Sequence, residues 1–179
     1  MKIIITFILL LFSPIYLNAE TYYENYGNIV LKGSRFSGEP VNTLSGKDFG
    51  VFEINPKLNV ERNDIYFNLE LIVKKLSSKS DIFYDIKEAN VNFENSTWGF
   101  LLGSTEEFCG KTETLNPVDI INSNNYDEGL SKPNKLGEVI IKANREIGIG
   151  DLSIYYLPNF RPNKYPSKKS RLSLPIEVN

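Results

Sequence analysis

The chain contains no histidine and only one cysteine, Cys109, among its 179 residues. These absences exclude a Ser-His-Asp or Cys-His nucleophile, a histidine-ligated metal and a multi-cysteine zinc site built within this chain. A single cysteine also excludes a framework of internal disulfides. Because these catalytic and ligating sets are missing, we expect a protein that is not an enzyme and that uses no metal and no other cofactor.

Carboxylates are the acid/base groups that remain. Glu106 and Glu107 form one adjacent pair in a predicted loop, and Asp127 and Glu128 form another. A glycosidase needs two carboxylates at a set separation across a sugar, which the sequence does not establish. Because Asp and Glu are common on exposed surfaces, we interpret these four residues as solvated loop charges.

The chain has no excess of charge of one sign, since 20 basic residues stand against 22 acidic ones. This balance gives no reason to expect nucleic acid as a partner. The C-terminal segment 158–179 differs, because it contains prolines and is locally basic. We expect this segment to fold back on the more acidic remainder of the chain.

Residues 1–19 have the parts of a secretory signal peptide. Lys2 precedes the apolar run 3–12, and Ala19 provides a small residue before the expected cleavage point. The run is shorter than the roughly 20 residues that a membrane-spanning helix needs, so we expect no transmembrane segment after signal removal. The predicted location is the periplasm or the extracellular surface, where Cys109 would be either buried or bonded to another molecule; burial is favoured.

Residues 64–75 alternate between apolar and polar side chains, as a half-buried strand does. Ile65, Phe67, Leu69, Leu71 and Val73 share one side, which we predict to be the buried one. A turn at 76–80 and a second alternating stretch at 82–94 predict a long antiparallel hairpin.

Further short stretches are rich in β-branched or aromatic residues and predict strands at 27–32, 49–54, 98–102, 138–143 and 152–157. Predicted turns separate them, among them Asn55-Pro56 and Asn95-Ser96. One or two helical turns are expected near 116–123. The sequence therefore predicts an all-β fold with little helix, a single antiparallel β-sandwich domain of immunoglobulin-like or related type over residues 20–179.

The last predicted strand, at 171–178, would be delivered by the proline-containing segment and would lie at a sheet edge, because Pro175 cannot donate to a ladder. Tyrosines near the start of the predicted mature chain supply rigid contact area that interfaces exploit. In 152–156, alternation predicts that Leu152, Ile154 and Tyr156 point inward and that Tyr155 points outward. The candidate binding residues are Tyr22, Tyr23, Tyr26, Tyr155, Leu172, Leu174, Ile176 and Val178.

These observations favour an exported, non-enzymatic binding or assembly module of the bacterial cell envelope, similar to an adhesin or a pilus subunit and acting through strand addition. Its expected partner is another envelope or secreted protein, or a second copy of itself. An alternative hypothesis is a periplasmic immunity or inhibitor protein that masks a toxin or hydrolase. A third is a carboxylate-dependent glycan hydrolase that uses the paired loop carboxylates.

Overall fold

The computed structural model describes residues 21–38, 48–108, 120–128, 133–170 and 172. The predicted signal peptide 1–19, Cys109, and the predicted binding residues Leu174, Ile176 and Val178 lie outside this range. The described strands are β1 (Thr21–Arg35), β2 (Asp48–Arg62), β3 (Ile65–Leu76), β4 (Ile82–Glu94), β5 (Trp98–Thr105), β6 (Asn124–Asn125), β7 (Asn134–Lys135), β8 (Glu138–Glu146) and β9 (Asp151–Tyr156).

Seven strands form one antiparallel sheet in the order β1-β2-β3-β4-β5-β8-β9, and β6 pairs with β7 in a small ribbon. The prediction of an all-β fold of mainly antiparallel strands is confirmed. The described residues form one large sheet and not two facing sheets, so the predicted sandwich is not confirmed. The part of the helix prediction that is described, 120–123, contains no helix. Across the described ranges, no helix has the length and hydrophobicity to cross a membrane.

Short turns connect the strands at one end of the sheet. Asn63 has a φ of 52°, which asparagine tolerates better than most residues, and this allows a tight two-residue turn between β2 and β3. The Asn95 side chain accepts hydrogen bonds from the backbone N–H groups of Thr97 and Trp98, both at 2.9 Å. This local bonding confirms the predicted turn at Asn95-Ser96.

The predicted turn at Asn55-Pro56 is wrong, because both residues lie within β2. Pro56 has no N–H to donate, and the regular pairing of β2 with β3 is interrupted beside it. The Asn55 side-chain amide donates to the Leu71 carbonyl and to the Glu70 carboxylate, both at 2.9 Å. A side-chain bond thus bridges β2 and β3 where the ladder is interrupted.

The predicted inward face of β3 is also wrong. Ile65, Phe67 and Val73 are exposed, whereas Glu70 and Lys74 on the opposite side are buried. Alternation determines which side chains share a face, but not which face the rest of the chain covers. Here the covered face is the polar one.

Segments 120–128, 133–137 and 161–170 make the contacts that cover this polar side. The largest apolar cluster among the described residues also lies there, where Phe49, Val51 and Leu76 pack with Phe36 and Leu172. The segment after β9 reaches the sheet as the sequence predicts, since Leu172 joins this cluster. The fold therefore holds its small core and its cover on one side of the sheet.

Candidate functional site

The uncovered side of the sheet, here called the apolar face, continues across all seven strands. Pairing register places the outward residues of neighbouring strands beside one another: Val60 pairs with Phe67, Phe67 with Val91, and Val91 with Leu102. The exposed large side chains of this face are Tyr23, Ile29, Leu31, Phe52, Ile54, Ile65, Phe67, Val73, Ile82, Tyr84, Ile86, Val91, Trp98, Phe100, Leu102, Val139, Ile141, Leu152, Ile154 and Tyr156.

Charged residues on the apolar face are confined to strand ends. Arg62 closes β2 and Arg145 lies next to the end of β8, while Lys75 lies next to the end of β3. Arg35 and Asp48 form an exposed ion pair of 3.6 Å where β1 ends and β2 begins. The interior of the face is therefore free of charge along the described strands.

Aromatic side chains of the apolar face concentrate towards the strand ends. Trp98 stacks on Phe100 with ring centroids 5.8 Å apart, and the Arg145 guanidinium lies 4.8 Å from the Trp98 ring centre. Phe52 and Tyr84 lie near the opposite ends of their strands. Aliphatic residues occupy most of the region between the two ends.

The opposite side of the sheet, here called the polar face, carries paired charges. Lys74, with 1% of its side chain exposed, lies 3.0 Å from Glu53 and 2.5 Å from Glu128. Lys32 reaches the same Glu128 carboxylate at 2.8 Å. Burial raises the pKa of Glu128, but the hydrogen bonds from Lys32 and Lys74 outweigh it and hold the pKa below its usual value. Glu128 therefore ties the 120–128 segment to β1 and β3 as a carboxylate.

A second network crosses the middle of the polar face. Lys57 pairs with Glu70, and Lys87 lies 3.4 Å from Glu70 and 3.2 Å from Glu106. Burial raises the pKa of Glu70, but hydrogen bonds from Lys57 and Asn55 bring it below the usual value. For Glu106, burial is the stronger effect and its pKa is raised despite Lys87.

Arg161 connects the segment after β9 to β4. Its guanidinium donates to Asp85 at 2.7 Å and to the Gly137 carbonyl. Glu138 is buried nearby, and Ser123 and Arg161 face its carboxylate, although neither oxygen has a hydrogen bond of ordinary geometry among the described residues. Burial raises the pKa of this carboxyl group above its usual value.

The sequence predicts that the four loop carboxylates are solvated, and this is wrong, because all four are ion-paired. Glu107 accepts from Lys142 at 3.1 Å and Asp127 accepts from Lys79 at 2.7 Å, while Glu106 and Glu128 belong to the two networks above. Each carboxylate faces a lysine: Glu106 and Glu107 join the chain after β5 to β4 and β8, whereas Asp127 and Glu128 join the 120–128 segment to the β3–β4 turn and to the sheet. Within the described ranges, no group of three or more acidic, cysteine or histidine residues is arranged to hold a metal ion.

The predicted binding tyrosines divide between the two faces. Tyr22, Tyr23 and Tyr26 are exposed, with Tyr23 on the apolar face and the other two on the polar side of β1. Tyr155 was predicted to point outward and Tyr156 inward, and this is reversed. Tyr155 is half-buried and donates to Glu107 at 3.4 Å, whereas 62% of Tyr156 is exposed.

The sequence analysis does not predict that the apolar sides of the strands form one continuous uncovered surface. Its signal was present, because the polar side of β3 carries Asn68, Glu70 and Lys74 at the same regular spacing as the apolar side carries its residues. When charged and amide side chains recur in the interiors of several strands, they indicate a polar side on which these groups pair with one another across the sheet.

Comparison of the chain with protein families, with curated proteins and with solved structures finds no match.

Proposed function

We propose that the protein is an exported, non-enzymatic assembly module of the bacterial cell envelope that joins other chains through the edges of its sheet. Export is inferred from the sequence of residues 1–19. The observation that carries the assembly role is the outer edge of β1, a strand of 15 residues with which no described strand pairs on that side.

A long unpaired edge is a template for another strand. Soluble proteins usually shorten, charge, bulge or cover such edges. β1 is regularly paired to β2 along its whole length and contains no proline, so its outer N–H and C=O groups are held in extended geometry. An incoming strand gains main-chain hydrogen bonds from this edge, and side chains such as Tyr22, Tyr23 and Tyr26 supply further contact area.

The proposal is tested with proline substitutions at two adjacent residues of β1, Asn28→Pro and Ile29→Pro. Successive N–H groups of a strand point to opposite sides, so one substitution removes an outward donor and the other removes a donor to β2. Sizing with light scattering in detergent micelles measures self-association, and affinity capture from the envelope fraction measures pairing with another protein.

We expect the outward-donor variant to keep the wild-type circular dichroism and to lose association. The other variant serves as the matched control, because it disturbs the β1–β2 ladder and weakens the strand signal. A folded outward-donor variant that associates like the wild type contradicts the proposal. A wild-type chain that is monomeric and captures no protein contradicts it as well.

A further inference from the structure

The apolar face is larger than a soluble monomer ordinarily exposes. Seven strands spaced about 4.8 Å apart give a width of about 29 Å, and the rise from Ile65 to Val73 is about 26 Å. The product, about 750 Å², exceeds the roughly 300–600 Å² of the largest apolar patch on a typical monomer. A surface of this size indicates a partner that covers the whole face.

The distribution of charge favours a lipid partner. Lys74 and Glu70 are buried on the polar face and neutralised by ion pairs, while the interior of the apolar face has no charged side chain along the described strands. Protein partners usually meet a polar rim around a smaller apolar centre. A face that is apolar across its full width, backed by an internally paired polar side, suits a hydrocarbon medium.

The height of the apolar face and the aromatic residues near its two ends also favour a lipid partner. A sheet in a bilayer presents an apolar band about 25 Å tall, with aromatic side chains where hydrocarbon meets headgroups. Membrane strands are tilted and cross this band in about 9–11 residues, and the stretch of β3 from Ile65 to Val73 has nine residues. Trp98, Phe100 and Tyr23 lie towards one end of their strands, and Phe52 and Tyr84 towards the other.

The connections at the two ends of the sheet are also unequal. At the Trp98 end the described links are short, with residues 63–64, 95–97 and 147–150 between strands. At the other end the links are longer, since residues 77–81, 36–47 and 106–137 stand between consecutive strands of the sheet, and the last of these contains the ribbon that covers the polar face. Short links on one side and long ones on the other are typical of sheets inserted from one side of a membrane.

We propose that the apolar face contacts the acyl chains of a phospholipid bilayer. The inference deepens the proposed envelope function and rests on it, because backbone groups at the outer edges of β1 and β9 must be paired by other strands inside hydrocarbon. It departs from the expectation, drawn from the sequence, that no transmembrane segment remains after signal removal.

Trp98 is the single tryptophan of the chain and lies on the apolar face with 39% of its surface exposed. The wild-type protein is reconstituted into phosphatidylcholine–phosphatidylglycerol vesicles whose acyl chains carry bromine, a contact quencher, at shallow or deep positions. We expect several-fold quenching of Trp98 fluorescence, strongest with shallow bromines because Trp98 lies at the end of β5. Vesicles without bromine give the reference intensity.

Tyr155 and Tyr156 are adjacent but lie on opposite faces, so they provide matched probe positions that test which face contacts lipid. In a Trp98→Phe background, Tyr156→Trp places the probe on the apolar face and Tyr155→Trp places it on the polar face. Leu69→Trp places it at the middle of the apolar band, four residues from both Ile65 and Val73. We expect strong quenching for Tyr156→Trp, strong quenching by deep bromines for Leu69→Trp, and several-fold weaker quenching for Tyr155→Trp.

The outcomes separate this inference from the edge-pairing proposal. A protein that associates but shows no bromine quenching, as two copies stacked face to face into a sandwich would, overturns lipid contact and leaves edge pairing intact. A protein that is quenched on the apolar face but stays monomeric overturns edge pairing alone. Equal quenching at positions 155 and 156 overturns lipid contact, and the wild-type measurement on Trp98 decides the matter if a variant fails to fold.

Discussion

Lys74 shows how a charged residue is accommodated inside a small sheet protein. It donates to Glu128 from the covering segment and pairs with Glu53 of β2, so its charge is balanced by two carboxylates. Removal of one member of a buried ion pair leaves an uncompensated charge in a region of low dielectric. The stability of the protein therefore depends more on the pairing than on the presence of the charges.

We expect Lys74→Met to lower the free energy of unfolding by about 3 kcal/mol, because Glu53 loses its buried partner and Glu128 keeps one cation, Lys32, among the described residues. Urea titration in detergent micelles measures the change. Lys32→Met is the control, since 55% of the Lys32 side chain is exposed, and its expected cost is below about 1 kcal/mol. Equal effects of the two substitutions would contradict the role assigned to Lys74.

In contrast to Lys74, we expect that replacement of Glu138 stabilises the folded protein. Burial raises the pKa of its carboxyl group in the folded state, so the folded protein holds a proton at pH values where the unfolded chain has lost it. The cost of charging this group is absent below the unfolded pKa and complete above the folded pKa. We expect Glu138→Gln to add about 1 kcal/mol of stability at neutral pH, with the gain disappearing in acid. Unfolding midpoints measured between neutral and acidic pH check this sign.

The sequence predicts which residues of a strand point to the same side, but not which of the two sides is buried. Alternation correctly separated Tyr155 from Tyr156, since adjacent residues of a strand point to opposite faces. It assigned the wrong one to the interior because it assumed that the apolar side is the buried side. The pairing of Tyr155 with Glu107, which lies 48 positions away in the chain, is a tertiary contact that no local pattern contains.

At the scale of elements, β4 and β5 approach closely at Gly103. This glycine has a φ of 134°, and a Cβ atom built on it would overlap the Ala89 carbonyl oxygen. Side-chain-bearing residues rarely adopt this conformation, so the position requires glycine. The Asn90 side chain donates to the Ser104 carbonyl beside it at 3.2 Å and fixes the same contact.

We expect Gly103→Ala to lower the free energy of unfolding by about 2–3 kcal/mol, since it adds both backbone strain and a steric overlap. Gly33→Ala is the matched control, because Gly33 also lies in a strand but nothing lies within 4 Å of its added Cβ atom. Thermal or urea unfolding of the two variants provides the comparison. A small effect at Gly103 would show that β4 and β5 can separate there without loss.

The strands themselves could be predicted well. The sequence predicted strands at 64–75 and 82–94, and β3 and β4 occupy almost the same residues. β1 and β2 are much longer than predicted. The sequence predicts a turn at Asn55-Pro56, whereas in the structure the Asn55 side chain donates to the Leu71 carbonyl and β2 continues past Pro56.

At the scale of the whole molecule, Arg161 fastens the segment after β9 across the polar face. It bonds to Asp85 of β4 and to the Gly137 carbonyl, and Lys164 continues the contact through backbone bonds with Asn124 and Tyr126. The segment thereby covers charged residues of the sheet that would otherwise meet water.

We expect Arg161→Gln to loosen this segment and to accelerate tryptic cleavage after Lys164, Lys168 and Lys169 several-fold, while the sheet stays folded. Mass spectrometry of timed digests locates and times the cuts. Arg145→Gln is the control, because Arg145 lies at a strand end on the apolar face, where its guanidinium lies over the Trp98 ring. Unchanged cleavage in Arg161→Gln would contradict the fastening role.

The sequence by itself determined that the fold is all-β, where most of the long strands lie and which side chains share a face, because these properties depend on local propensity and a two-residue period. Only the tertiary structure decided that the strands join into one sheet and that its polar side is covered while its apolar side is not. That choice depends on ion pairs between distant residues, such as Lys74 with Glu128 and Asp85 with Arg161. Hydrophobic patterning has the same form whether the apolar side meets a protein core or another apolar medium, so the covered side is visible only in the assembled chain.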